Sequence, residues 1–252
     1  MQLTERDREL LEFAAEHRIV LGGHVQKLLG ASERAVGSRL RSLTAAGLLR
    51  PVPVFHRQGD CRQITGKGLA VIGSGLPRPR LDLRSYEHDV GVAWLWLAAR
   101  AGAFGALREI VSERSMRSHD ATEDGRQAPL AVRLGGVGHG GRERLHYPDL
   151  LLVDVTGKRV AFELELSAKA RTRRELILAG YGADARIEAA VYLVDNRAVW
   201  RVIEESARKL GIEHRVRVQR VRLGGSCAPP AGRVSRAARR ASDLAPTAQG
   251  SR

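Results

Sequence analysis

A chain of 252 residues has room for two domains with separate cores, and a formal net charge of +14 with an isoelectric point near 10.9 points to a polyanionic partner, nucleic acid before any other. Aromatic residues make up only 4%, which argues against a stacking platform for single strands. The two cysteines, Cys61 and Cys227, lie too far apart in sequence to suggest a disulfide framework or a cysteine zinc site.

The charged start Met1-Gln2-Leu3-Thr4-Glu5-Arg6-Asp7 lacks a signal-peptide core, so a cytoplasmic protein is expected. Thr4 is a good helix N-cap with Asp7 in the capping-box position, and Leu10, Leu11, Phe13 and Ala14 give that helix an apolar stripe ending near His17. A second helix is expected over 23–29, with Val25, Leu28 and Leu29 inward and Gly30 as its stop. Ser32 caps a third, which reaches Ala46 with Gly47 beyond it. Helical spacing puts Val36, Leu40 and Leu43 on one side of this third helix and Arg34, Ser38 and Arg41 on the other. An apolar back with a basic, small-residue front suits a helix entering the DNA major groove, and Arg34, Ser38, Arg39 and Arg41 are its DNA-binding candidates. The plainer reading of one amphipathic helix is a solvated charged face.

Two short strands follow, 51–56 and 61–64, turning at Gln58-Gly59-Asp60, before Thr65-Gly66-Lys67-Gly68-Leu69 opens a short helix. Two helices, a basic helix, a wing and Thr-x-Lys-Gly together resemble a winged helix-turn-helix over residues 1–76. Arg57 and Arg62 are then expected on the wing, reaching DNA backbone or minor groove. Protein-protein docking is the competing use of such a module. Pro77-Arg78-Pro79-Arg80 marks a stiff connector over 77–84.

A second domain is expected over 85–223. It opens with a helix from about Ser85, carrying His88, Val92, Leu95 and Leu97. The most apolar run of the chain, 90–107, is interrupted by Arg100 and reads as buried helix rather than membrane span. Residues 107–114 read as a strand. The polar, glycine-rich stretch of about 115–143 reads as a mobile insertion, since its glycines do not have the spacing of a phosphate loop.

The richest stretch is His146-Tyr147-Pro148-Asp149-Leu150-Leu151-Leu152-Val153-Asp154, a strand, followed by Val160-Ala161-Phe162-Glu163-Leu164-Glu165-Leu166, a second strand beyond a turn centred on Thr156-Gly157-Lys158. Alternation sends Val160, Phe162, Leu164 and Leu166 one way and Ala161, Glu163, Glu165 and Ser167 the other. An antiparallel partner brings Asp149 beside Glu163. Three carboxylates gathered at one end of a hairpin repel one another unless a cation lies between them, which predicts a site for Mg²⁺ or Mn²⁺ held by Asp149, Glu163 and Glu165. Lys169 can lean back over it to assist water or offset charge. The plainer alternative is a hairpin with an acidic, solvent-facing side.

Beyond Lys169 a helix is expected over 170–181. Its basic first turn, Arg171, Arg173 and Arg174, opposes the helix dipole and so needs another reason, for which phosphate contact serves. Tyr181 reads as a packing residue. A strand over 189–194, a helix over 199–210, an edge strand over 216–222 and a basic disordered tail over 224–252 complete the chain.

Pro148-Asp149, then Glu163-Leu164-Glu165 with Lys169 nearby, resembles the PD-(D/E)XK nuclease core, and together with the N-terminal part, residues 4–200 resemble the replication-relaxation family of plasmid and mobile-element proteins. The resemblance implies a winged helix-turn-helix joined to an α/β/α domain with a mixed sheet. It also implies an acidic pair that binds metal, and a lysine two residues after the second acid that assists the attacking water. Glu165 stands in that lysine's place here, and Lys169 is its displaced counterpart. A histidine near His88 and the segment Ser112-Glu113-Arg114 also resemble the family, which makes Glu113, Glu87 and His88 further ligand candidates. The implied function is binding of double-stranded DNA in plasmid replication or relaxation, with metal-dependent nicking or cleavage. The alternative is a non-catalytic regulator whose nuclease-like domain serves dimerisation or partner binding. A homodimer is the expected assembly for a winged helix on a palindrome.

Overall fold

The computed structural model describes residues 2–54, 61–122, 129–141 and 143–222. Thr4 starts helix α1 (Glu5–Glu16) through the expected capping box with Asp7. Helix α2 (Gly22–Leu29) ends at Gly30, whose φ of 59° is the left-handed turn that glycine adopts without strain. Ser32 caps α3 (Glu33–Ala45) through the Ala35 N–H. Strands β1 (Val20–Leu21), β2 (Leu49–Pro51) and β3 (Cys61–Ile64) form a small antiparallel sheet in the order β1-β3-β2. β1 is only two residues long and has no signature in the sequence. Thr65 caps α4 (Gly66–Val71), and its hydroxyl also donates to the Gly47 carbonyl at 2.7 Å, tying α4 to the end of α3. Leu10, Leu11, Phe13, Val25, Val36, Leu40, Leu43, Leu49 and Ile64 fill the core between these elements.

Helix α5 (Tyr86–Arg100) belongs to two cores at once. Ala93 and Leu97 pack into the N-terminal core, while Leu95 and Ala99 lie against the large sheet. A helix covered on both sides has no polar stripe to show, which explains the long apolar run. Among the described residues no helix is long and apolar enough to cross a membrane.

The second half comprises β4 (Leu107–Ser112), α6 (Glu113–Thr122), β5 (Val132–Val137), β6 (Glu143–His146), β7 (Leu150–Asp154), β8 (Arg159–Glu165), α7 (Arg171–Ala183), β9 (Ile187–Val194), α8 (Arg197–Lys209) and β10 (Val216–Arg220). Five strands form one mixed sheet in the order β10-β9-β8-β7-β4. The pairs β4-β7 and β7-β8 are antiparallel, and β8-β9 and β9-β10 are parallel, with α7 and α8 as the crossovers that parallel neighbours require. One face carries Leu150, Leu152, Phe162, Leu164, Val191 and Leu193 against α5. The other carries Leu151, Ala161 and Ala190 against Ile177, Leu178 and Tyr181 of α7, Ile203 of α8, and Val132 and Leu134 of β5. The molecule is thus a mixed α and β protein, with eight α-helices among the described residues.

Three expectations need correction. The wing strand expected over 51–56 lies earlier, as β2 over Leu49–Pro51, and 52–54 belong to no strand. The strand expected over 107–114 stops at Ser112, and Glu113 and Arg114 open α6. The stretch expected to be a mobile insertion supplies α6 and the β5-β6 hairpin, which closes one face of the sheet. Gly180 of α7 makes this possible: a Cβ there would meet the Arg133 carbonyl and Val132 Cγ1 at 3.0 Å, so the missing side chain lets helix and hairpin approach. Residues 123–128 of that stretch, the turn at 58–60 and the expected tail lie outside the described residues.

Candidate active site

The register Leu150↔Phe162 and Leu151↔Ala161, continued by one step, sets Asp149 opposite Glu163, and both fall on the side of Leu151 and Ala161 that faces α7. Asp149 is fixed there because its Oδ2 accepts the Leu164 N–H at 2.7 Å. Glu165 follows two residues on, at the end of the same strand. The solvent-facing alternative fails: Asp149, Glu163 and Glu165 are 8%, 2% and 7% exposed, because β8 is the middle strand and α7 and the hairpin cover this side.

Each acid has a polar or cationic partner. Asp149 Oδ2 lies 3.0 Å from His88 Nε2. Glu163 Oε1 lies 2.5 Å from His146 Nε2 and also accepts the Tyr181 hydroxyl. Glu165 Oε2 accepts from the Lys169 ammonium. Behind His88, Asp89 receives Ser85 Oγ at 3.1 Å and an Arg18 guanidinium N–H at 3.4 Å, and Arg18 also donates to Glu113 at 2.6 Å.

The titration behaviour follows from these contacts. Burial alone would lower the His88 pKa, but Asp149 and Asp89 beside it push it up to about 10. Burial would raise Glu163, yet His146, Lys169 and the Tyr181 hydroxyl hold it below the usual carboxylate range. Glu165 goes the other way: burial and the neighbouring charges of Glu163 and Asp149 outweigh Lys169 and raise it. Burial works against the charge on Lys169, but Glu163, Glu165 and Asp149 raise its pKa, so its ammonium stays protonated.

The donor chemistry suits a hard divalent cation. Hydrogen bonds among the described residues use Asp149 Oδ2, Glu163 Oε1 and Glu165 Oε2, leaving the second oxygen of each carboxylate without a described partner. No three His, Cys, Asp or Glu side chains among the described residues are gathered at metal-ligand spacing. Mg²⁺ is commonly held by one or two carboxylates together with water and substrate phosphate, so the facing pair Asp149 and Glu163 is a sufficient protein contribution.

The remaining expected site residues divide. The Glu113 carboxylate turns away to Arg18 and Arg117, although its N–H donates to the Asp149 carbonyl at 3.1 Å. Glu87 is exposed and makes no described contact with the acids. Arg62, expected on an exposed wing, is 6% exposed, because β3 is the middle strand of its sheet. Arg57 lies outside the described residues. Arg34, Ser38 and Arg41 are exposed on α3 opposite the buried Val36, Leu40 and Leu43, whereas Arg39 forms an ion pair with the buried Asp7. On α7, Arg173 is exposed, Arg171 pairs with Glu175 at 2.9 Å, and Arg174 donates to Ser206 Oγ and the Lys169 carbonyl, both at 2.9 Å. Arg174 therefore steadies the turn that presents Lys169.

His146, Tyr181 and Arg18 were not foreseen as members of this constellation. Tyr181 does pack as expected, but its hydroxyl also binds Glu163. The one available signal was His146, three residues before Asp149. Comparison with protein-family models, curated proteins and solved structures returned no match.

Proposed function

We propose that this protein binds double-stranded DNA through an N-terminal winged helix-turn-helix and hydrolyses a phosphodiester bond at a PD-(D/E)XK-type site in its second half, as the resemblance to replication-relaxation proteins implies. The observation that carries the reading is the placement of Asp149 and Glu163 on one face, with Glu165 and Lys169 beside them. In this reading α3 enters the major groove with Arg34, Ser38 and Arg41 forward.

Asp149 and Glu163 would hold Mg²⁺ or Mn²⁺ together with water and substrate phosphate, with Glu165 close by. Such an ion supplies Lewis acidity toward the phosphate and lowers the pKa of a bound water. Glu163 is kept ionised by His146 and Tyr181 and oriented by both. Glu165, with its raised pKa, is the better proton acceptor for the attacking water. Lys169 stays protonated and serves by neutralising the extra negative charge of the transition state.

Incubation of supercoiled plasmid with the protein and Mg²⁺ or Mn²⁺ is expected to give nicked or linear product, and Asp149→Asn is expected to lower the rate at least ~100-fold, the scale of losing one preorganised electrostatic group. A specific observation favours a second reading, a non-catalytic DNA-binding regulator: His88 and Lys169 already neutralise the acids from within the fold. Intact plasmid with both proteins, alongside clear mobility shifts, would reject the enzyme and leave the regulator.

A further inference from the structure

The Thr65-Gly66-Lys67-Gly68 segment leads from β3 into α4. In the structure it borders a surface cleft of about 440 Å³ lined by Gly47, Arg50, Thr65, Gly66, Lys67 and Arg78, together with Ile64 and Pro79. Three cations face one space, and none of the described residues lining it is acidic. No described carboxylate pairs with any of the three.

The cations come from three separate elements. Arg50 on β2 is steadied by donating to Gln63 Oε1 at 2.6 Å. Lys67 on α4 donates to the Ala46 carbonyl at the end of α3 at 2.9 Å. Arg78, from the connector, lies over Gly66, where a Cβ would sit only 2.5 Å from its Nε and Nη2. A Cβ at 66 would therefore push the Arg78 guanidinium out of this placement. Like charges brought together without a counter-ion repel one another, and an anion between them removes that cost.

We propose that this cleft binds a phosphate group, and that in the working protein the group is a backbone phosphodiester of the duplex held by α3. The arginine forks match the paired oxygens of a phosphate, and the lysine adds a point charge. Gly47 and the Ala46 carbonyl place the cleft at the C-terminal end of α3, so the contact lies on DNA beside the groove that α3 enters. Such a contact fixes position without reading sequence. The choice of DNA as the source of the phosphate rests on the proposed function, but the phosphate site itself does not.

The test uses the full chain and three variants: Arg78→Ala, Lys67→Ala with Arg78→Ala, and Gly66→Ala, which keeps every charge but displaces Arg78. Thermal melts check that each variant folds, as substitution of the exposed Lys67 and Arg78 should allow. Binding to a short duplex is measured against salt concentration, where each lost phosphate contact lowers the slope of log K on log salt by about 0.9. The expected result is a slope reduced by about one for Arg78→Ala, by less for Gly66→Ala, which shifts the Arg78 guanidinium but keeps its charge, and by nearly two for the double variant, equally on unrelated sequences. Wild-type binding with unchanged slopes in all three variants would overturn the site. If wild type binds no duplex, inorganic phosphate is the second probe. Phosphate that raises the melting temperature of wild type but not of the double variant would keep the site, assign it to a small phosphate ligand and discard the DNA reading. No difference with either probe would remove the proposal.

Discussion

The acidic side of β8 and the basic front of α3 treat charge in opposite ways. Asp149, Glu163 and Glu165 are buried, and each is partnered within the fold by His88, by His146 with Tyr181, or by Lys169. Arg34 and Arg41 are exposed and have no described partner, and the cations around Gly66 share a cleft with no acid among its described lining residues. Buried charges must be compensated when the chain folds, whereas exposed ones remain available to something that arrives later. Arg39 shows the boundary between the two within a single helix, since its guanidinium reaches back to the buried Asp7.

The largest break in this comparison is expected from acid. His17 and His24 are 4% and 0% exposed, packed against Phe13, Trp94 and Trp96, and burial lowers both to about 3. His24 Nδ1 accepts the Leu21 N–H at 3.1 Å, which requires a neutral ring. Because the unfolded histidines take up protons near pH 6.5, stability should fall as pH drops from 6.5 toward 3, with a slope approaching ~1.4 kcal/mol per pH unit for each ring. His88 has the opposite sign: its raised pKa gives stability that is complete below pH 6.5 and lost as pH rises toward 10. Denaturant titrations across this range should show both limbs, with His17→Phe flattening the acid one and His88→Gln the alkaline one. A flat profile between pH 7 and 4 would contradict the buried neutral rings.

Next in size is removal of a compensated acid. Glu163→Ala strands His146 and Tyr181 in the core and should cost about 3–5 kcal/mol in urea unfolding, as expected when one member of a buried pair is deleted. Glu163→Gln, which keeps an acceptor, should cost less. Equal losses would mean that the negative charge, rather than volume or a neutral acceptor, holds this position.

The smallest stability effects divide the faces of α3. Arg39→Ala leaves the Asp7 carboxylate without its cation and should destabilise by about 1–3 kcal/mol. Arg41→Ala should change stability by less than about 0.5 kcal/mol while weakening duplex binding. If Arg41→Ala binds with unchanged affinity at several salt concentrations, the outward face of α3 is not the DNA contact.

Much of this architecture was legible in short-range patterns. The Thr4 and Ser32 caps, the Gly30 stop and the Val36, Leu40, Leu43 stripe each act over a single helix turn, and the structure contains all of them. The alternation of Ala161, Glu163 and Glu165 fixed their common face, and the hairpin register set Asp149 opposite Glu163. The glycine-rich segment was misread because its polarity looked like a loop, while Val132 and Leu134 become core only when α7, opened by Gly180, lies against them. Arg62 was misread because the sequence does not say that β3 is a middle strand with both edges paired.

From the chain alone came the capped helices, the strand faces, the excess positive charge and the identity of the carboxylates, since all of these follow from covalent order and local periodicity. Only the folded arrangement decided that those carboxylates would be buried rather than wetted, and that His88, His146, Tyr181 and Lys169 would be their companions. It alone brought Arg50, Lys67 and Arg78 around one cleft. The physical reason is range: a helix or strand is set by neighbours a few residues away, whereas burial and charge pairing depend on groups that are distant in sequence, such as His88 and Asp149, until the sheet and its covering helices close on them.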